Sequence, residues 1–201
     1  MHFTKFAAAA LCAATLSACV TPVGPVQVTR FVADDARAQL ATGTIAVINA
    51  PGPGTGTLEV QSYKSAVARE LVRLGYTEVG AADGSQIAEV RVERFAERDG
   101  RRRGPVSVGV GGSTGSYGSG VGMGVGINLG GGSGEQIATE LGVVIRDRAT
   151  GQSVWEGRAS FVVGEKSPLA STQLGAAAMA QALFAEFPGN DGETVSVEVA
   201  D

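Results

Sequence analysis

Cysteine and histidine are almost absent from this 201-residue chain. The two cysteines, Cys12 and Cys19, and the single histidine, His2, all lie within the first 19 residues. From residue 20 onward the sequence offers no thiol, no disulfide and no imidazole. This excludes Ser-His-Asp and Cys-His catalytic arrangements, and zinc sites built from His and Cys, from that part of the chain. A domain formed there must rely on its packed core.

Long apolar runs and an excess of positive charge are also lacking. The apolar run at residues 6–16 has eleven residues, whereas a helix that spans a bilayer needs about 20. The whole chain has 16 basic and 20 acidic residues, and without the first 18 residues it has 15 and 20. A nucleic-acid-binding domain usually carries a basic surface, so this balance argues against a nucleic-acid partner.

Residues 1–18 have the features of a cleaved secretory signal. Lys5 precedes the apolar run, which ends in Leu16-Ser17-Ala18-Cys19. This tetrad resembles the bacterial lipobox, whose cysteine receives a diacylglycerol before cleavage on its N-terminal side. The resemblance implies that Cys19 becomes the lipidated first residue of the mature chain. It would then begin a Pro-containing tether over residues 19–25. A plain secretory signal with an unmodified cysteine is the alternative.

Apolar periodicity predicts a single α+β domain over residues 26–201. Helices are predicted over residues 58–74, with Thr57 as the N-cap and Gly75 at the C-terminal end, and from Ser167 to Phe187. Strands are predicted at residues 26–31, 44–48, 87–95, 141–145, 153–163 and 195–199. The order of these elements favours a two-layer domain with two helices on one face of a mainly antiparallel sheet.

The turn at residues 147–151 is expected to join two strands as a hairpin, with Asp147 accepting backbone hydrogen bonds. Trp155 and Phe161 are predicted to be core residues, although an aromatic ligand platform is the alternative. Four other acidic residues are the remaining candidates for carboxylate catalysis. A solvated loop is the simpler interpretation for Asp34 and Asp35, and the polar side of a strand for Glu89 and Glu93.

Residues 104–134 contain 14 glycines among 31 residues. Apolar residues alternate with glycine, which predicts a long β-hairpin inserted in the domain, with one aliphatic face and one bare face. The aliphatic row of its second strand comprises Val121, Met123, Val125, Ile127 and Leu129. Neither G-x-G-x-x-G nor G-x-x-x-x-G-K-[ST] occurs, so a nucleotide-binding loop is excluded and no cofactor is expected. Two interpretations stay open: a poorly ordered insertion without a ligand, or a surface for recognition or self-association.

A basic cluster precedes this hairpin and consists of Arg98, Arg101, Arg102 and Arg103. Guanidinium groups suit bidentate contacts with phosphate, so the cluster could meet lipid headgroups. A solvated loop is the alternative.

Several stretches of the chain resemble an uncharacterised family of Gram-negative lipoproteins that share one domain of unknown function. They are Val28-Thr29-Arg30-Phe31 with Gly43-Thr44-Ile45-Ala46-Val47, Leu74-Gly75-Tyr76, the glycine-rich hairpin, and Val154-Trp155-Glu156-Gly157-Arg158-Ala159 with Phe187-Pro188-Gly189. The resemblance implies an envelope location and an α+β domain. It implies no catalytic activity.

These features together predict a non-enzymatic envelope lipoprotein that acts through binding or assembly. We expect it to be anchored by acyl chains such as palmitate on Cys19, and to face the periplasm from the outer membrane. The next residue, Val20, is not the aspartate that retains lipoproteins at the inner membrane in enteric-type sorting. An envelope protein or a second copy is the expected partner, bound through the hairpin. A carrier of a lipid or other amphiphile, and a hydrolase that uses carboxylates alone, are the alternatives.

Overall fold

A seven-stranded mixed sheet forms one layer of the domain. The computed structural model describes residues 23–52, 56–97, 106–112, 121–127 and 136–199, and only the backbone of residues 96–97, 106–112 and 121–127. The strands in chain order are β1 (Val26–Val32), β2 (Thr44–Asn49), β3 (Thr77–Glu78), β4 (Gln86–Glu97), β5 (Val106–Gly112), β6 (Val121–Ile127), β7 (Gln136–Asp147), β8 (Ser153–Gly164) and β9 (Glu193–Val197). The sheet has the order β3-β2-β4-β7-β8-β1-β9.

Antiparallel pairing dominates this sheet, as predicted. Strand β2 pairs in parallel with β3 and β4, and all the other neighbours pair antiparallel. The longest pairing joins β4 to β7 over twelve residues each. Strand β7 begins five residues before the predicted position, because Thr139 faces the core there and obscures the apolar alternation.

Two α-helices form the second layer, on one face of the sheet. They are α1 (Leu58–Leu74), which packs on β2 and β4, and α2 (Thr172–Leu183), which packs on β8 and β1, and the two helices contact each other. Short 3-10 helices occupy Asp34–Gln39 and Pro168–Ala170. The predicted two-layer α+β fold is therefore confirmed.

Helix α1 has the bounds and caps that its sequence predicts. The Thr57 hydroxyl accepts a hydrogen bond from the Val60 amide, and Gly75 ends the helix at a φ of 118°. Only glycine adopts this conformation readily, and a Cβ atom here would lie 2.8 Å from the Ala41 carbonyl oxygen. The face that is buried against the sheet includes the predicted Tyr63 and Leu71.

Helix α2 is shorter than predicted. Ser167 caps the 3-10 helix at Pro168–Ala170 by accepting a hydrogen bond from the Leu169 amide, rather than opening α2. Ser171 is extended, so the α-helix begins at Thr172. Its C-terminal cap is Phe184, and Phe187 therefore lies in the turn beyond the helix.

The core between the layers is filled by aromatic and aliphatic side chains. Trp155 and Phe161 are both buried, which confirms their predicted place in the core. Other fully buried members are Val26, Val28, Ile45, Val67, Leu71, Leu141, Val143, Ile145, Met179, Leu183 and Phe184. The opposite face of the sheet carries no helix within the described residues, and we call it the open face.

The glycine-rich segment contains the predicted hairpin. Strands β5 and β6 pair antiparallel in a separate two-stranded sheet. Their register sets Val108 opposite Val125 and Gly109 opposite Gly124, and the aliphatic positions from Val106 to Val110 all lie opposite aliphatic positions of β6. Because Glu97 of β4 pairs directly with Gln136 of β7, the 38 residues between them form an insertion at one end of the main sheet.

Candidate interaction site

The insertion and the N-terminal tether leave the main sheet at the same end. We call it the insertion end, where β4 stops at Glu97 and β7 starts at Gln136. Strand register relates this end to β1: Glu140 of β7 is opposite Ser160 of β8, which is in turn opposite Gln27 of β1. The first strand therefore enters the sheet within a few residues of the level at which the insertion departs.

Arg94 of β4 holds the elements around the insertion end together. Its Nη1 donates hydrogen bonds to Glu59 Oε1 at 2.7 Å and to Thr172 Oγ1 at 3.2 Å, and its Nη2 donates to the Ala170 carbonyl. One guanidinium thus joins the first turns of both helices to the 3-10 helix. This network ties the helix layer to strand β4 at the insertion end.

Tyr63 and Thr139 lie buried beside this network. Burial raises the pKa of the Tyr63 hydroxyl, while the nearby Arg94 charge and a hydrogen bond with Thr139 oppose the shift. A tyrosine with a raised pKa remains protonated at neutral pH and is a poor general base. Tyr63 is thus a buried residue of the core beside Arg94.

The residues predicted from the sequence to form an interaction surface lie in or beside the insertion. Val121, Met123, Val125 and Ile127 belong to β6, whose backbone pairing is described. Leu129 and the cluster of Arg98, Arg101, Arg102 and Arg103 lie outside the described residues, as does Cys19. Predictions about these side chains thus remain predictions.

At the opposite end of the sheet, an aromatic cluster closes the core. The Trp155 ring stacks on Phe184 with centroids 5.3 Å apart, and it contacts Phe187 at 5.1 Å. The indole nitrogen donates a hydrogen bond to the Pro188 carbonyl at 2.9 Å. Gly157 leaves room for the indole, because a Cβ atom there would lie 2.9 Å from Leu183 Cδ1 and closer still to the ring.

Arg30 of β1 lies at the same end of the sheet as this aromatic cluster, and its side chain is 1% exposed. Its guanidinium donates to the carbonyls of Ala182, Leu183 and Ala185 at the end of α2. It also forms an ion pair with Glu193 at 2.8 Å. Hydrogen bonds from Arg30 and Asn190 lower the pKa of the Glu193 carboxyl.

Stretches that carry the family resemblance meet in this cluster. Arg30, Trp155 and Gly157 come from two of them, and Phe187-Pro188-Gly189 is a third. Each has a packing or hydrogen-bonding role in closing the core. These stretches of the resemblance therefore have a structural role in this fold.

The carboxylates considered for catalysis are dispersed. Asp34 and Asp35 are exposed on a 3-10 helix rather than in the predicted loop. Glu89 is half-buried and pairs with Arg146 at 3.2 Å, while Glu93 is exposed. Within the described ranges, no three His, Cys, Asp or Glu side chains are grouped to hold a metal ion.

Asp147 has the structural role that its turn predicts. Its Oδ1 accepts hydrogen bonds from the backbone amide and the hydroxyl of Thr150, at 2.8 and 2.9 Å. These bonds lower the pKa of the Asp147 carboxyl.

Sequence reasoning did not identify the roles of Arg30 and Arg94, although a signal for both was present. Arg30 alternates with Val26, Val28 and Val32, and Arg94 alternates with Ala88, Val90 and Val92, so both occupy core-facing strand positions. Charged residues at such positions are almost never buried unless they are paired. Which groups pair with them depended on the helix termini, which come from distant parts of the sequence.

A groove open to solvent lies against α1 and β3. It is lined by Ser65, Ala68, Arg69, Val72 and Glu78. These side chains do not converge polar groups on an enclosed apolar volume, as small-molecule sites usually do. In the part of the chain that is described, no helix has both the length and the hydropathy required to cross a membrane.

The chain is similar in sequence to one uncharacterised protein and in structure to two solved proteins. "Uncharacterized protein ZMO1243" of Zymomonas mobilis is 29% identical over 219 residues, which cover 87% of this chain and 80% of that protein. A PDZ domain protein from Parabacteroides distasonis has a similar structure, with a TM-score of 0.50 and 13% identity over 96% of this chain and 42% of its own. PelC, a dodecamer from Paraburkholderia phytofirmans, has a TM-score of 0.47 and 12% identity over 79% and 94%. At 12–13% identity, similarity to these two solved structures concerns the fold alone.

The model of one protein family covers most of the domain. This family is described as a domain of unknown function, DUF4136, and its model matches residues 38–189. The match includes β2 through α2 and the Phe187-Pro188-Gly189 turn. Because it extends over more than half of the 201 residues, the chain belongs to the DUF4136 family.

Proposed function

We propose that the protein is a lipid-anchored envelope lipoprotein that acts by binding or assembly rather than by catalysis. Acyl chains on Cys19 hold it at the outer membrane with the domain in the periplasm. The observation that carries this proposal is the common exit of the N-terminal tether and the glycine-rich insertion from the insertion end. An anchored domain would thus present its insertion next to its attachment point.

The tether is short, so it limits the distance between the lipid anchor and the insertion end. Residues 19–25 span at most about 24 Å when fully extended, at roughly 3.3–3.6 Å per residue. Two or more acyl chains suffice for stable attachment, since each buried CH₂ contributes about 0.8 kcal/mol. The anchor would therefore keep the insertion end close to the bilayer.

Buried side chains from both layers meet at the helix–sheet interface. Tyr63, Met179 and Leu183 are buried at the helix–sheet interface together with Trp155. A carrier of an amphiphile would need a cavity there. We therefore locate binding at the insertion rather than between helix and sheet.

Several carboxylates form ion pairs or hydrogen bonds within the fold, which supports a non-enzymatic role. Glu89 is paired with Arg146, Glu193 with Arg30, and Asp147 is held by Thr150. A carboxylate hydrolase needs an acid and a base with separated pKa values in one cleft. These three groups instead stabilise separate parts of the fold.

Replacing Cys19 with Ala should abolish lipid attachment, because the thiol is the acyl acceptor. Metabolic labelling of cells with radioactive palmitate should show no label in Cys19→Ala, and membrane fractionation should find the protein released from the outer membrane. The matched control is Val20→Asp, which keeps the acceptor. It should still be labelled but should move to the inner-membrane fraction in a host with enteric-type sorting. Label in Cys19→Ala would overturn the anchor.

Removing residues 104–134 should leave the domain folded and remove its binding function. Because β4 and β7 pair directly, the deletion replaces a 38-residue connection with seven residues. A shorter connection between two paired strands loses less entropy when it closes, so the free energy of unfolding should rise by up to about 1–2 kcal/mol. Thermal unfolding would measure this gain, and light scattering or crosslinking in intact cells would measure the loss of oligomers or partners. An unchanged oligomer and crosslinking pattern would contradict the role of the insertion.

A further inference from the structure

Exposed large apolar side chains are concentrated at the insertion end. Leu58, Phe95, Val162 and Leu174 are 87, 56, 48 and 52% exposed. Phe31 and Val72 are also exposed, at 44 and 48%, and lie towards the opposite end. Single apolar residues on a surface are ordinary, whereas a group of them marks a contact surface.

The contacts of their neighbours place these four residues around one end. Leu58 opens α1 and precedes Glu59, which binds Arg94. Leu174 lies in the first turn of α2, two residues after Thr172, which also binds Arg94. On the other layer, Phe95 and Val162 are both opposite Ala138 in the strand register. The four side chains therefore surround the insertion end on both layers of the domain, and we call them the apolar rim.

The chain that precedes β1 indicates what covers the apolar rim. The tether enters β1 at this end, and the proposed lipid anchor lies only seven residues before Val26. Anchoring keeps the rim at a high effective concentration near the bilayer, so modest apolar contacts suffice to dock it. Interfacial amphipathic helices bury their apolar faces about 5–10 Å into the boundary between headgroups and acyl chains, which is deep enough to accommodate exposed side chains such as these.

A second copy fits this rim less well. Two copies anchored in the same leaflet present their insertion ends in the same direction, so an end-to-end contact would require one copy to be inverted. Charge does not oppose lipid contact strongly, because exposed Glu165 and Lys166 offset each other in the turn after β8. The exposed pair of Glu93 and Glu140 lies further from the end than Phe95 and Ala138.

We infer that the domain docks end-on to the lipid surface, with Leu58, Phe95, Val162 and Leu174 inserted among the lipids. This inference rests on the proposed lipid anchor and adds an orientation to it. Docking would hold the sheet upright and keep the hairpin of β5 and β6 beside the bilayer.

Single-cysteine probes test this orientation in the full lipoprotein. The chain has no cysteine after Cys19, and lipidation blocks that thiol, so an added cysteine can be labelled selectively. An environment-sensitive fluorophore is attached to Leu58→Cys and Phe95→Cys, and to the matched controls Val72→Cys and Phe31→Cys. Val72 lies on the same helix as Leu58, and Phe31 lies on the open face like Phe95. The proteins are reconstituted in phosphatidylethanolamine and phosphatidylglycerol vesicles, with or without bromine on the acyl chains.

Docking predicts a blue shift for the probes at positions 58 and 95, and loss of more than half of their emission with brominated lipid. The probes at 72 and 31 should keep the spectrum that they have in water. Equal spectra at both ends, or a blue shift without quenching by bromine, would overturn docking, since the latter would place the rim against protein. Flotation of the vesicles is read in parallel. Failure to float refutes the anchor, whereas floating protein with unshifted probes refutes only the docking.

Discussion

Replacing Arg30 with Ala should lower the free energy of unfolding by about 3–5 kcal/mol, because each buried carbonyl that loses a charged donor costs about 1–3 kcal/mol. The guanidinium is buried and satisfies the carbonyls of Ala182, Leu183 and Ala185 beyond its pairing with Glu193. Without it, the Leu183 and Ala185 carbonyls would lose this donor, whereas the Ala182 carbonyl would keep the Ala185 amide. Buried polar groups without partners are costly. Urea denaturation followed by circular dichroism would measure the loss.

Arg158→Ala is the matched control. Arg158 also lies on a strand and pairs with a glutamate, Glu156, at 2.9 Å, but its side chain is 57% exposed. An exposed ion pair contributes at most about 1 kcal/mol, so this variant should be nearly as stable as the parent. Similar losses in both variants would show that burial of Arg30 does not determine its effect.

The pH dependence of the free energy of unfolding provides a second test of the Arg30–Glu193 ion pair. The folded-state pKa of Glu193 is lowered chiefly by its hydrogen bond with Arg30. The contribution of Glu193 to the free energy of unfolding is therefore fully present above the pKa that this carboxyl has in the unfolded chain. It is lost as the pH falls through the lower folded-state pKa. In Arg30→Ala this acid-dependent loss should be smaller than in the parent.

Gly157→Ala should be the most damaging single-methyl addition on the main sheet, with a loss of about 3 kcal/mol, the upper end of the usual overpacking range. The new Cβ would overlap the Trp155 ring and lie 2.9 Å from Leu183 Cδ1. Displacement of the ring would disturb its contacts with Phe184 and Phe187 and its hydrogen bond to the Pro188 carbonyl. Thermal unfolding would show a lowered midpoint.

Gly142→Ala makes the same chemical change on the neighbouring strand. A Cβ there would have Arg91 Cβ as its nearest neighbour, at 3.9 Å, which is an ordinary contact. Glycine within a strand costs about 0.5–1 kcal/mol relative to alanine, so Gly142→Ala should be neutral or slightly stabilising. Equal destabilisation by both substitutions would contradict the steric explanation for Gly157.

Features that depend on neighbouring residues could be predicted from the amino-acid sequence alone. Helix α1 follows from a 3.6-residue apolar pattern bounded by Thr57 and Gly75, and each of these signals lies within one turn of the feature that it predicts. The hairpin of β7 and β8 follows in the same way from alternation around the Asp147 turn. The pairing of β5 with β6 was predicted from the alternation of aliphatic residues with glycine.

The start of α2 shows where local signals were insufficient. Ser167 and Pro168 are good first residues for a helix, and they do begin a 3-10 helix. That helix packs so closely on α2 that a Cβ atom on Gly175 would lie 2.6 Å from the Leu169 carbonyl oxygen. The break at Ser171 therefore reflects packing between two segments, which no periodicity reveals.

The candidate site depended most on tertiary structure. The sequence identified the insertion and the predicted anchor at Cys19 as separate features almost 80 residues apart. Only the register through β1, β8, β7 and β4 brings their attachment points to one end of the sheet. The partners of Arg30 and the members of the apolar rim likewise come from distant segments. Such proximity results from long-range strand pairing and helix packing, whereas composition and spacing along the chain report only on local structure.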